Sequence, residues 1–122
     1  MAEFHVVLVV DGDAAARDFA ARALRERGFL VAHASTVWHA LELMRHVAVD
    51  VLLTDLTVLA APGGRTLLDA ARRGNPAIGV ICVTGLADDA TDDAVRAACQ
   101  HLLRKPYRAE QLSSEVRRLL PA

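Results

Sequence analysis

Apolar residues along this chain come in short unbroken blocks, separated by stretches in which they recur every third or fourth position. "HVVLVV" (5–10), "FLVAHA" (29–34), "VDVLLT" (49–54) and "AIGVICVT" (77–84) are blocks of strand length. Continuous rather than alternating hydrophobicity marks strands covered on both faces, as in a parallel sheet. A shorter block, "HLL" (101–103), predicts a fifth strand. Between the blocks the period changes. Residues 14–27 put Phe19, Ala20, Ala23 and Leu24 on one helical face and stop at Gly28. Residues 35–47 repeat the pattern with Val37, Ala40, Leu41 and Met44, with Ser35 or Thr36 as the cap and Trp38 beside the stripe. "AAPGG" (60–64) is a loop opening into a helix through Leu67, Leu68 and Ala71. Residues 88–98 predict a helix whose early turns carry Asp88, Asp89, Asp92 and Asp93, acids that suit a positive helix N-terminus. Residues 108–119 predict a last helix with Leu112, Val116, Leu119 and Leu120 turned inward.

Strand then helix, five times over, predicts an α/β fold: a parallel five-stranded sheet with helices on both faces. No linker, repeat or low-complexity segment interrupts the pattern, so residues 1–122 are read as one domain. Composition narrows the picture. Hydrophobic residues make up 53% and aromatics 4%, so the core is aliphatic. A net charge of −1 without clustered basic residues argues against direct nucleic-acid binding. The apolar runs are too short for a membrane span, and the N-terminus lacks the features of a signal peptide. Cys82 and Cys99 suggest neither a disulfide framework nor a metal site, which predicts reduced thiols and a cytoplasmic protein. The histidines at 5, 33, 39, 46 and 101 have no metal-ligand spacing.

In open parallel sheets, ligands bind beyond the carboxyl ends of the strands. Those ends carry polar groups here. Strand one runs into Asp11, Gly12 and Asp13; strand three ends at Asp55, strand four at Thr84, and strand five at Lys105. Two carboxylates about 4 Å apart repel by about 4 kcal/mol at an effective dielectric of about 20. A hard cation held by oxygen ligands and water, such as Mg²⁺, relieves that repulsion. With Lys105 and Thr84 it forms a site for phosphoryl oxygens, and Asp55 becomes a candidate nucleophile. Lys105 is the single lysine among 14 basic residues, and arginine is not its equivalent at a tight phosphoryl site. Asp13 either caps the following helix or bends back toward the metal.

"VVDGDAAAR", "DVLLTDL", "VICVTG" and "LLRKPY", in this order and spacing, resemble the response regulator receiver domain over about residues 5–120. The resemblance implies a doubly wound, flavodoxin-like (βα)₅ fold with strand order 2-1-3-4-5. It implies phosphorylation of Asp55 by a histidine kinase or phosphotransfer protein. Mg²⁺ would be held by Asp11, Asp55 and the backbone carbonyl of Thr57, and the switch would be relayed through Thr84 and Lys105. The output domain or downstream protein would meet the last two helices and strand five, a face that could also serve a homodimer. Such a domain is not an enzyme beyond self-catalysed phosphoryl transfer to Asp55 and its hydrolysis. Gly63 and Arg17 fit the family pattern, as does Gly85 after Thr84.

Four places depart from it. Gly12 stands where the family has a second acid, which predicts a weaker hold on Mg²⁺. Val58-Leu59 replace Met-Pro, Ala98-Cys99 replace Gly-Ala, and Leu102 replaces the switch aromatic. Gly12 is the support for an alternative, a pseudo-receiver that binds proteins without being phosphorylated. A flavin- or nucleotide-binding enzyme fits poorly, because "DGDAAA" is too acidic to cradle phosphate.

Overall fold

The computed structural model describes residues 4–85 and 93–120. Its strands are β1 (Val6–Val10), β2 (Leu30–Ala34), β3 (Val51–Asp55), β4 (Gly79–Thr84) and β5 (His101–Arg104). Its helices are α1 (Ala14–Arg25), α2 (Val37–Met44), α3 (Leu56–Ala60), α4 (Gly64–Gly74), α5 (Asp93–Ala98) and α6 (Ala109–Leu119). All strand pairs are parallel, in the order β2-β1-β3-β4-β5 that the resemblance implies.

Side chains alternate across the sheet and build two cores. Leu8, Val10, Leu52, Val80 and Cys82 face α2, α3 and α4, where Val37, Ala40, Leu56, Leu59, Leu67 and Ala71 pack. Val7, Val9, Val51, Leu53, Ile81, Val83 and Leu103 face α1 and α6, against Ala20, Ala23, Leu24, Leu112 and Val116. The central strands β3 and β4 are buried nearly throughout, which accounts for their unbroken apolar runs. Among the described residues no helix is long and apolar enough to cross a membrane.

The structure corrects several expectations. Phe19 is 46% exposed rather than part of the inner face of α1, because Ala21 takes the inward position beside Ala20. Trp38, read as lying beside the apolar stripe of α2, is 65% exposed, in keeping with that place. The predicted helix over 88–98 is described from Asp93 to Ala98 as α5, and its start with Asp88, Asp89 and Asp92 lies outside the described residues and is not tested. Cys82 and Cys99 are joined in a disulfide. Distance along the chain hid this pairing: 17 residues separate them, while parallel packing brings their Cα atoms to 5.7 Å.

The short helix α3 was not foreseen either. It starts directly after Asp55, whose extended backbone (φ −68°, ψ 138°) and side chain cap it. A proline at 59, the family's usual residue, would push Val58 out of helical geometry and remove an N–H. Leu59 does neither, so the turn winds up as helix. Gly63, at φ +92°, then reverses the chain into α4, and a Cβ there would press on Val37 and Trp38 at 3.2 and 3.4 Å.

Candidate functional site

Parallel strands all end on the same rim, so the register alone brings their polar last residues together. Asp11 follows β1, and its N–H donates to Ala34 O of neighbouring β2 at 3.1 Å. Asp55 closes β3, and Thr84 closes β4 at 4% exposure. Lys105 follows β5 and is tied in by its own N–H, which donates to Thr84 O at 2.8 Å. Its peptide bond to Pro106 is cis.

The Lys105 ammonium sits between two carboxylates, 3.3 Å from Asp11 Oδ2 and 3.2 Å from Asp55 Oδ2. The other oxygen of each acid is occupied by donors. Asp11 Oδ1 accepts from the Asp13 N–H at 2.9 Å. Asp55 Oδ1 accepts from the Thr57 N–H at 2.9 Å and the Thr57 hydroxyl at 3.0 Å. The acid side chains are 9% and 13% exposed, and that of Lys105 is 30% exposed. Partial burial is the largest single influence on Lys105 and favours its neutral form, but Asp55 and Asp11 together outweigh it and raise its pKa. Lys105 is therefore a firmly held cation. Tyr107, two residues on, has its hydroxyl pKa pushed up to about 12, first by burial and then by the Asp11 charge.

The structure thus gathers Asp11, Asp55, Thr84 and Lys105 on one rim. It does not gather Asp13, whose side chain caps α1 by accepting from the Ala15 N–H at 3.2 Å and remains exposed. It also turns Thr57 the other way from the expected ligand geometry. The Thr57 N–H and hydroxyl face Asp55, while its carbonyl accepts from the Ala61 N–H at 3.1 Å, along the axis of α3. This reversal follows from the helix at 56–60, since helical carbonyls point away from the N-cap. The Thr84 hydroxyl donates to Gly85 O at 3.2 Å.

Arg17 and Tyr107 support the site beyond the residues read from the sequence for a chemical role, and Thr57 supports it in a role the sequence did not give it. The Arg17 guanidinium donates to Asp11 O at 2.9 Å, holding the end of β1 against α1. The Thr57 hydroxyl orients Asp55. Tyr107 meets the exposed Phe19 edge to face, with ring centroids 5.7 Å apart, beside an apolar cleft of about 270 Å³ that reaches Lys105. The sequence signal for Tyr107 was its adjacency to Lys105-Pro106; nothing in the sequence paired it with Phe19.

The donor set is compatible with Mg²⁺ but sparse. Two carboxylates face one rim, and among the described residues no group of three acids, histidines or cysteines converges. Mg²⁺ commonly keeps several waters and is satisfied by one or two carboxylates, so Asp11 and Asp55 fit it.

Comparison with known proteins agrees with this geometry. Sensor kinase CckA of Brucella abortus (strain 2308) is 35% identical over 117 residues, covering 93% of this chain and 12% of that protein. Response regulator receiver protein Anae109_2439 of Anaeromyxobacter sp. (strain Fw109-5) is 38% identical over 103 residues, covering 81% of this chain and 42% of that one. The chain therefore spans less than half the length of either relative. A crystal structure of a response regulator receiver domain protein from Clostridium thermocellum superposes with a TM-score of 0.77 at 26% identity, covering 95% of this chain and 94% of that one. The family profile described as response regulator receiver domain matches residues 7–117. Sheet order, the polar rim and that profile coincide, and the chain belongs to the response regulator receiver domain family of two-component signalling.

Proposed function

We propose that Asp55 accepts a phosphoryl group from a histidine kinase or phosphotransfer protein. The observation that carries this reading is the Lys105 ammonium, 3.2 Å from Asp55 and 3.3 Å from Asp11. A carboxylate oxygen of Asp55 bonds to phosphorus, the bond from phosphorus to the donor breaks, and the donor leaves with its electron pair. Lys105 is placed to neutralise the incoming phosphoryl oxygens, and the Thr84 hydroxyl can turn to donate to one of them. Thr57 holds one Asp55 oxygen, leaving the Lys105 side of the carboxylate for the transfer. Mg²⁺, held by Asp11 and Asp55 with water completing its shell, would add positive charge at the same oxygens.

The output reading follows from connectivity. Thr84 O accepts from the Lys105 N–H, so a change at the end of β4 reaches β5 directly. Leu102 stands 36% exposed on β5, an edge strand, between α5 and α6. A leucine makes no hydroxyl contact, so the change travels through Thr84 and backbone movement to an output domain, a downstream protein or a second copy.

Intact-mass measurement after incubation with acetyl phosphate and Mg²⁺ tests the core of this. One added phosphate is expected, and none in Asp55→Asn. Labelling that survives Asp55→Asn overturns the assignment. One specific observation favours a second reading, a pseudo-receiver: Gly12 removes an acid, and Asp13 is committed to capping α1. That reading expects no mass gain with any phosphodonor while partner binding persists.

A further inference from the structure

Cys82 lies in β4, fully buried, two residues before Thr84 and on the same side of the strand. Cys99 lies partly buried where α5 ends and β5 is about to begin. Their disulfide closes a loop containing Thr84, Gly85 and all of α5. Hydrogen bonds flank the link: the Gln100 N–H donates to Val80 O at 3.0 Å, and Gln100 Oε1 accepts from the Val80 N–H at 2.6 Å. The corner from α5 into β5 is therefore pinned to β4, the strand that carries Thr84.

We propose that Cys82 and Cys99 form a thiol–disulfide exchange site for dithiol reductants, whose oxidised form holds the α5–β5 corner on β4 and whose reduced form releases it. Burial sets the direction of attack. Cys99 sulfur belongs to the more exposed residue, so the incoming thiolate bonds to it and makes a mixed disulfide. Cys82 leaves with the electron pair of the broken bond and takes a proton. The second thiol of the reductant then attacks its own sulfur in the mixed disulfide, and Cys99 departs and is protonated. The protein gains two electrons and two protons, and the dithiol becomes a disulfide. A Cys82 thiolate among apolar side chains is strongly disfavoured, so exchange is fastest when the corner lifts and admits water.

The test uses the whole chain without any phosphodonor, so its outcome is independent of the Asp55 assignment. The protein is equilibrated with oxidised glutathione or with dithiothreitol, denatured, alkylated and weighed. The oxidised sample should carry no label, the reduced sample two, and a second round should interconvert them. Hydrogen exchange on the folded samples should then be at least several-fold faster at residues 96–101 and at Val80 after reduction, with α1 unchanged. Cys99→Ser, placed at the more exposed end to spare the buried strand, should match the reduced pattern and ignore dithiothreitol. Two labels after oxidised glutathione, or equal exchange in both forms, overturns the proposal.

Discussion

The Lys105 ammonium lies 3.2 Å from the Asp55 carboxylate, although 50 positions separate the two residues. One cation thus occupies the space where an incoming phosphoryl group needs positive charge, and it also screens Asp55 from Asp11. Replacing it with the similarly shaped Met leaves those acids facing each other. The group is neither fully exposed nor fully buried, so Lys105→Met should cost about 1–2 kcal/mol, between the values for surface and buried pairs. The same loss should tighten Mg²⁺, since the metal then has no competing cation. Thermal melts with chelator and with Mg²⁺ read both effects: the variant should melt lower in chelator and recover more on adding metal than the parent does.

Gly12 is exposed, and a Cβ there would approach Ser35 O no closer than 3.9 Å, so an acid fits without strain. Gly12→Asp restores the second strand-one carboxylate. Mg²⁺ affinity should rise about tenfold or more, and the metal-free protein should melt several degrees lower from added repulsion. A Mg²⁺ titration of both proteins, followed by melts in chelator, checks the pair of effects. Unchanged affinity would show that the missing acid does not limit this site.

Two groups give stability an alkaline limit. Lys105 has a raised pKa, so its ion pairs contribute fully below the ordinary value of 10.5 and are lost as pH rises through the folded value. Tyr107 is held neutral to about pH 12, while in the unfolded chain it ionises near its ordinary value of 10.0. Ionisation of the unfolded state alone pulls the equilibrium toward unfolding, so stability should fall between about pH 10 and 12. Urea midpoints across that range should decline, and Tyr107→Phe should show a shallower decline. An identical slope in the variant would remove Tyr107 from the account.

Gln100, just before β5, bonds Val80 of β4 through both its backbone and its side chain. Its carboxamide oxygen accepts from the Val80 N–H at 2.6 Å, and Val80 is 1% exposed. Gln100→Ala leaves a buried N–H without that partner, at a cost of about 1–3 kcal/mol. Gln100→Glu keeps an acceptor and should lose less. Denaturation midpoints of the three proteins rank the effect, and equal losses in Ala and Glu would show that the acceptor is not what matters.

The parallel sheet, the two helical layers and the convergence of Asp11, Asp55, Thr84 and Lys105 on one rim were legible in the chain from periodicity, whereas the strand order came only from the resemblance to receiver domains. Buried parallel strands must be continuously apolar, their connections must be helical, and all their last residues must meet on one rim. A polar residue directly after each apolar block is therefore a statement about place as well as chemistry.

Other features depended on the assembled structure, because they rest on distances between segments or on which of two local geometries wins. Asp13 had two options, and α1 claimed it as a cap through the Ala15 N–H. Thr57 presents donors instead of a carbonyl because Val58-Leu59 let α3 wind immediately behind Asp55. Phe19 left the core of α1 to meet Tyr107, a partner 88 positions away that no helical period specifies. Cys82 and Cys99 had no framework spacing, and only the packing of the α5–β5 corner against β4 brought them within bonding reach. The order of apolar and polar residues determined which elements form and which ends meet. Packing in three dimensions decided which side chains touch there, since burial and hydrogen-bond satisfaction are settled by neighbours far away in the chain.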